Sequence, residues 1–248
     1  EQEYLQPTIL VQGLHAVSSN RKHTSSLRLF EIGRIFLPKE NNLPLQPYEL
    51  CLLSTGEEGE KAVLKVKGDV LTLLEFIQIK DSLLLETKER HPYSRFFHPG
   101  RSACLVLGKS VVGYMGEIHP SIVESFGIKG RVYSALLNVE EFLPHRVAAV
   151  TYTPIPIQPP LIEDITVTTP QTMPYQMLLD EISSVSQLIQ RVELVGRYKD
   201  AKTIRISYQH PQKSLTDNAV AKIRTTIIQR LENIRGVQVK RKKEEKGV

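Results

Sequence analysis

Tryptophan is absent from the 248 residues, and cysteine occurs only twice, as Cys51 and Cys104. Both cysteines sit inside apolar runs and lack the paired spacing of zinc ligands, so a disulfide scaffold and a thiolate metal site are both excluded. The plain reading is two buried thiols in a reducing compartment, which predicts a cytoplasmic protein. No apolar run reaches membrane-spanning length, and no short apolar core follows a basic start as it would in a secretion signal. The chain begins at Glu1 instead of methionine, which predicts a piece of something longer. A glycine-rich nucleotide loop is also missing. Gly108-Lys109-Ser110 copies only its end, because position 103 is alanine and a strand follows.

The residues that are present have an ordinary balance, with 41% apolar and 24% charged, enough to build one large domain or two of common size. Charge is unevenly placed. From Thr151 onward there are 15 Lys and Arg against 10 Asp and Glu, whereas the first 150 residues hold 17 of each. A neutral body with a basic C-terminal module points to a polyanion partner for that module, or else to a merely basic surface.

The densest run of special backbone residues extends from Phe97 to Pro120. Ser102 to Leu107 reads as a strand, Gly108-Lys109 as a two-residue turn and Ser110 to Met115 as the returning strand. Gly113 and Gly116 remove side chains where another backbone is expected to come close. Pro120 opens a short helix, Ser121 to Phe126, which Gly127 closes. Elsewhere in this half, helices are expected over Leu5 to Ser19 and from an Asp69 cap through Ile77. Strands are expected over Leu27 to Leu37, Glu49 to Thr55, Ala62 to Val66, Ser82 to Thr87 and Arg131 to Asn138. Glu141 to Pro160, with five prolines, reads as a stiff connector. Beyond it come a strand (Leu161 to Thr168), a helix (Pro174 to Gln190), two strands (Arg191 to Tyr198 and Lys202 to Gln209), a helix capped by Thr216 and ended by Gly236, and a last strand (Val237 to Arg241). That order is βαββαβ, the ferredoxin-like split unit.

Phe97-His98-Pro99-Gly100-Arg101-Ser102-Ala103, the hairpin, Gly116-Glu117-Ile118-His119-Pro120 and the helix after them resemble the beta-subunit family of bacterial phenylalanyl-tRNA synthetases. Leu29 to Phe36 resembles the same family, and the C-terminal half resembles its ferredoxin-fold anticodon-binding domain. The resemblance implies an α+β chain. Residues 1–143 would be a class II synthetase-like antiparallel sheet domain without catalysis, 144–160 a linker and 161–243 the ferredoxin-like βαββαβ domain. It further implies a heterotetramer of two alpha and two beta subunits that joins phenylalanine to tRNA(Phe). ATP and magnesium would serve the whole enzyme, with no cofactor in this part and no membrane. The glycine-rich strand with arginine that a working class II site needs is missing, which also argues against a single-chain synthetase of the organellar type. No catalytic or metal residue is therefore assigned. A free-standing RNA-binding protein that keeps the fold remains the alternative.

His91, His98 and His119 fit no zinc spacing, and His98 and His119 precede proline, so structural roles are expected. His98, Pro99, Gly100, Arg101, Gly116, Glu117, His119 and Pro120 form the structural signature, with Arg101 buried and paired to Glu117 or Glu31. For RNA, strand alternation opposes Thr203, Arg205 and Ser207 to the apolar Ile204, Ile206 and Tyr208. The same logic sets Arg197 and Lys199 on the open face beside Glu193 and Val195, with Thr166, Thr168, Gln238 and Lys240. Expected tRNA contacts are thus Arg197, Tyr198, Lys199, Arg205, Ser207 and Lys240, unless the face is simply solvated. The family's Phe-Asp-x-Tyr stands here as Leu194-Val195-Gly196-Arg197, with Tyr198 one place later. Arg197 is expected to stack on a base where the family has tyrosine.

Overall fold

The computed structural model describes residues 5–79, 83–86, 91–147, 154, 156–170 and 173–240. The chain divides into two compact units, Glu1–Val150 and Thr151–Val248.

The first unit is built on six antiparallel strands. They are β1 (Leu27–Arg34), β2 (Tyr48–Thr55), β3 (Leu83–Glu86), β4 (Phe97–Leu107), β5 (Ser110–Ile118) and β6 (Val132–Asn138), in the order β1-β2-β6-β5-β4-β3. Pleating sends successive side chains to opposite faces. Cys104, Val106, Tyr114 and Leu136 pack on helices α1 (Leu10–Asn20) and α3 (Pro120–Ser125). Leu105, Leu107, Met115, Ala135 and Leu137 pack on helices α2 (Glu60–Phe76) and α4 (Val139–Phe142). Both faces of the central strands are therefore covered.

Three expectations change here. Ala62 to Val66 is not a strand and Asp69 caps nothing, because α2 runs unbroken through both. Ala62, Val66, Val70 and Leu74 are buried at four-residue steps, and Asp69 pairs with Arg28 from the middle of the helix. Five apolar-rich residues fit either period, and the longer helical repeat prevails. Helix α1 begins at Leu10, not Leu5, since the Gln6 carbonyl accepts the Phe36 N–H and the Thr8 hydroxyl accepts the Leu10 N–H at the helix start. The connector also starts later than Glu141, because Phe142 is buried in the core and Arg146 bridges to Ile79. Within that connector, residues 148–153 and 155 lie outside the described residues, as do Ser82, Thr87 and Arg241 at the ends of expected strands.

The β4–β5 hairpin follows its sequence closely. A Cβ on Gly113 would stand 2.2 Å from the Leu136 carbonyl oxygen, and one on Gly116 would stand 2.3 Å from that of Arg101. His98, Pro99, Gly100 and Arg101 bow out of register between Phe97 and Ser102. Proline holds the residue before it extended, so each imidazole folds onto an N–H two places ahead. Nδ1 of His98 accepts from Gly100, that of His119 from Ser121 at the start of α3 and that of His91 from Tyr93; His210, ahead of Pro211, accepts from Gln212 in the same way. Arg101 Nη1 donates to both Glu117 oxygens at 2.9 and 2.7 Å, with Arg131 Nε 3.7 Å from Glu117 Oε1. Glu117 is the buried partner of the pair. The Arg101 side chain is 44% exposed, contrary to the expectation of a buried arginine.

The second unit has strands β7 (Leu161–Thr168), β8 (Ile189–Tyr198), β9 (Ala201–Tyr208) and β10 (Gln238–Lys240), with helices α5 (Tyr175–Ser183) and α6 (Asp217–Glu232). Its sheet order is β10-β7-β9-β8, all antiparallel, which completes the βαββαβ unit. Ile165, Val167, Ile204, Ile206 and Tyr208 meet Leu178, Ile182, Val220, Ile227 and Leu231 from the two helices. Thr216 caps α6 by accepting the Ala219 N–H. Helix α5 stops at Ser183, not Gln190. A turn in which the Ser186 hydroxyl accepts the Leu188 N–H ends it, and Ile189 already pairs with Tyr208.

Glu49 is fully buried on β2, where Oε1 accepts from the Thr8 hydroxyl at 2.7 Å and the Ile9 N–H at 2.8 Å, holding the start of α1. Burial pushes its pKa up, against the Thr8 and Tyr93 hydroxyls and the Ile9 N–H, which favour the charged form. A raised carboxyl binds a proton that the unfolded chain releases. That stabilisation is full below the ordinary carboxylate range and is lost as pH rises through the raised value. Glu49→Gln should flatten this slope in urea melts taken across pH. Arg101→Ala should cost about 1–3 kcal/mol in the same assay, towards the lower end because Arg101 is half in solvent, and adding Glu117→Gln should recover part of the loss.

Candidate nucleic-acid interface

Both helices of the second unit lie on one side of its sheet, so the other side is open. Register decides what stands on it. Asp164, Arg205 and Glu193 form one row across β7, β9 and β8, with Ser207 and Arg191 in the next row outward. Towards the other end, Lys240, Thr166, Thr203 and Gly196 form a row, followed by Gln238, Thr168, Ala201 and Tyr198.

The last two placements on β8 depend on a bulge. Pairing shifts between Leu194 and Gly196, so Val195 is the extra residue and every side chain after it changes face. A Cβ on Gly196 would point at Thr203, on the open side. Tyr198 therefore joins the open face at 74% exposure. Arg197 pairs with Lys202 in the row of the buried Val167, which corrects its expected place on the open face. Lys199 is not on the strand at all. It sits in the two-residue turn with a φ of 53°, its Nζ 5.5 Å from the centre of the Tyr198 ring. An isolated glycine inside a strand pattern is a bulge signal, and Gly196 was that signal.

Charge on this face is not uniform. Arg205 Nε and Nη2 each donate to Asp164 at 2.9 Å, and Asp164 with Glu193 holds the guanidinium in its charged form. Arg191 Nη2 lies 2.7 Å from Glu193 Oε1. Arg205 is on the expected face but is already neutralised. At the other end of the face the Thr166 and Thr203 hydroxyls lie 3.3 Å apart, next to the exposed Lys240. Hydroxyls, a lysine and an exposed tyrosine suit base stacking and hydrogen bonding together with phosphate contact.

The first unit offers a different surface. Its edge strand β1 exposes Phe30 at 76% and Ile32 at 56%, flanked by Arg34, whose guanidinium lies 5.0 Å from the centre of the Tyr48 ring. A cavity of about 420 Å³ is walled by Val63, Leu64, Leu85, Ala103 and Met115, with Arg101 and Glu117, already paired to each other, also lining it. No cluster of His, Cys, Asp and Glu able to hold a metal occurs among the described residues. No described helix is long and apolar enough to cross a membrane.

Comparison with known proteins agrees with both units. The family profile described as the phenylalanyl tRNA synthetase beta chain CLM domain matches residues 1–139, and the ferredoxin-fold anticodon binding domain matches 156–240. Similar curated proteins include the phenylalanine–tRNA ligase beta subunits of Clostridium tetani (29% identical over 95% of this chain and 30% of that protein) and Bacillus subtilis (28%, over 94% and 31%). That of Staphylococcus aureus is 30% identical over 90% of this chain and 30% of its own length. The chain thus spans just under a third of the length of these relatives. Among solved structures, a pyrrolysyl-tRNA synthetase from Desulfitobacterium hafniense aligns with 56% of this chain and 48% of its own at 15% identity and a TM-score of 0.45, too distant to bear on function. With one profile covering nearly all of the first unit and the other most of the second, the chain belongs to the phenylalanyl-tRNA synthetase beta-chain family.

Proposed function

We propose that this chain is the part of a phenylalanine–tRNA ligase beta subunit that packs against an alpha subunit and grips tRNA(Phe), leaving bond-making to its partner. The observation that carries the reading is the open sheet face of a ferredoxin-fold anticodon-binding domain, with Tyr198, Lys240, Thr166 and Thr203 on the half whose rows hold no carboxylate. Tyr198 is the stacking platform, helped by Lys199 against its ring. Lys240 contacts phosphate, and Ser207 and Arg205 stand at the far end of the face. Arg197 lies off that face.

In this reading the first unit is a scaffold. The central strands of its sheet are covered on both faces, and its conspicuous arginine is tied to Glu117. The whole enzyme would use ATP and magnesium in the cytoplasm, as two alpha and two beta subunits. The described residues do not fit either cofactor, since Gly108-Lys109 is a hairpin turn and no acidic cluster is present. The alpha subunit docks on the apolar strip of β1 around Phe30 and Ile32, which water would otherwise cover.

Tyr198→Ala should weaken tRNA(Phe) binding by about 1–3 kcal/mol, the worth of one stacked base. Lys240→Ala should lower the slope of log affinity against log salt by about 0.7, one phosphate contact on a single strand. Fluorescence anisotropy across a salt series reads both, and unchanged values in both variants would remove this face as the RNA surface. Phe30→Glu should abolish co-elution with an alpha subunit in gel filtration while leaving the melting temperature of the chain unchanged. If the parent chain bound tRNA but never associated with an alpha subunit, the free-standing RNA-binding alternative would replace the ligase reading.

A further inference from the structure

The open face of the second unit is split into two electrostatic halves, and the split follows strand register. Towards Leu161, Asp164, Arg205, Glu193 and Arg191 alternate in sign, and each base is held by an acid. Towards Thr168, the two rows that hold Lys240 and Tyr198 carry no carboxylate. We infer that Asp164 and Glu193 are specificity-determining groups that keep RNA phosphates off one half of this face and confine a bound strand to the Lys240–Tyr198 half. The inference rests on the open face being the RNA surface.

The stability these pairs add does not explain them. Side-chain exposures of 44% and 37% for Arg205 and Asp164, and of 70% and 38% for Arg191 and Glu193, put both pairs in the range where ion pairs contribute little to folding. Their effect on a polyanion is larger. Two uncompensated arginines on a flat polar sheet would attract any RNA backbone, because phosphate neutralisation is indifferent to sequence. Bound to carboxylates, they contribute no net charge, and a phosphate arriving there meets two anions it would have to displace. Discrimination between partners is a difference of affinities, and a repulsive element widens it. The half that remains is four strands wide, three gaps of about 4.8 Å, which suits a short unpaired segment and not a duplex or a long tract.

Asp164→Asn with Glu193→Gln keeps the shapes and removes both negative charges. Binding of the full 248-residue chain to tRNA(Phe) and to an unrelated single-stranded oligonucleotide such as oligo(U) would be followed by anisotropy over a salt series. The double variant should bind oligo(U) about 10-fold more tightly, with a salt slope steeper by up to about 1.4, two further phosphates on a single strand. Adding Arg205→Gln should reverse part of both changes, which ties the effect to the released arginine and not to loosened folding. Unchanged affinity and slope for oligo(U) in the double variant overturn the inference. Tyr198→Ala and Lys240→Ala in the same assay report on the underlying reading. If they weaken tRNA(Phe) binding while the acid variants change nothing, only the inference falls. If they change nothing, the face is not the RNA surface and both fall.

Discussion

The alternation of side chains across a pleated strand is the constraint on which both units depend. In the first unit, helices lie on both sides of the sheet, so odd and even positions of β5 and β6 are both buried. Seven of the nine residues of β5 and six of the seven of β6 are buried. That cover stops at the outermost strand, where β1 alternates and leaves Phe30 and Ile32 in water. In the second unit the same alternation gives the opposite result. Both helices of βαββαβ pack on one side, so every second residue is released to a polar open face. The contrast between a sheet whose central strands are covered on both faces and one with an open polar face therefore follows from where the helices sit.

The parts legible in the sequence were those the backbone forces. Gly113 and Gly116 mark contacts that no Cβ could survive, and the His-Pro pairs mark places where an extended residue bends its ring onto the following N–H. The residues that needed knowledge of distant neighbours were less legible. Arg101 had two possible acidic partners on sequence grounds. Strand order decides between them, because Glu31 lies on β1, at the opposite side of the sheet from β4, while Glu117 lies on the adjacent β5. The pairing of Arg205 with Asp164 was hidden for the same reason. They are 41 residues apart and meet only once β7 and β9 pair. Local ambiguity accounts for the rest, as with Ala62 to Val66, too short a run for its own period to separate strand from helix.

The bulge at Val195 shows how one residue can reassign a surface. An unbulged strand would send Tyr198 to the helix side and Arg197 to the open side. Val195 is absorbed outside the register, so the two exchange faces and the Tyr198 ring is presented on the open side. Where this happens matters. β8 is an edge strand, paired only with β9, so an unpaired residue disturbs a single ladder. The same insertion in β9 would break pairing with β7 and β8 together and shift the buried Ile204, Ile206 and Tyr208 out of the core.

It follows that the edge strand can vary in sequence while the central strand cannot, and that variation in what the open face presents is cheapest on β8. The residues of β9 and β7 have less freedom, because each outward side chain alternates with one the core requires. Thr203, Arg205 and Ser207 are locked to their face by Ile204, Ile206 and Tyr208 between them. Arg205 cannot be turned away, so its charge can be tempered only by a neighbour, and Asp164 is the residue directly across from it in register. A cation fixed in direction by the core, and a carboxylate set opposite it by the pleat, are together how a rigid sheet can quiet one half of its surface and leave the other half to bind.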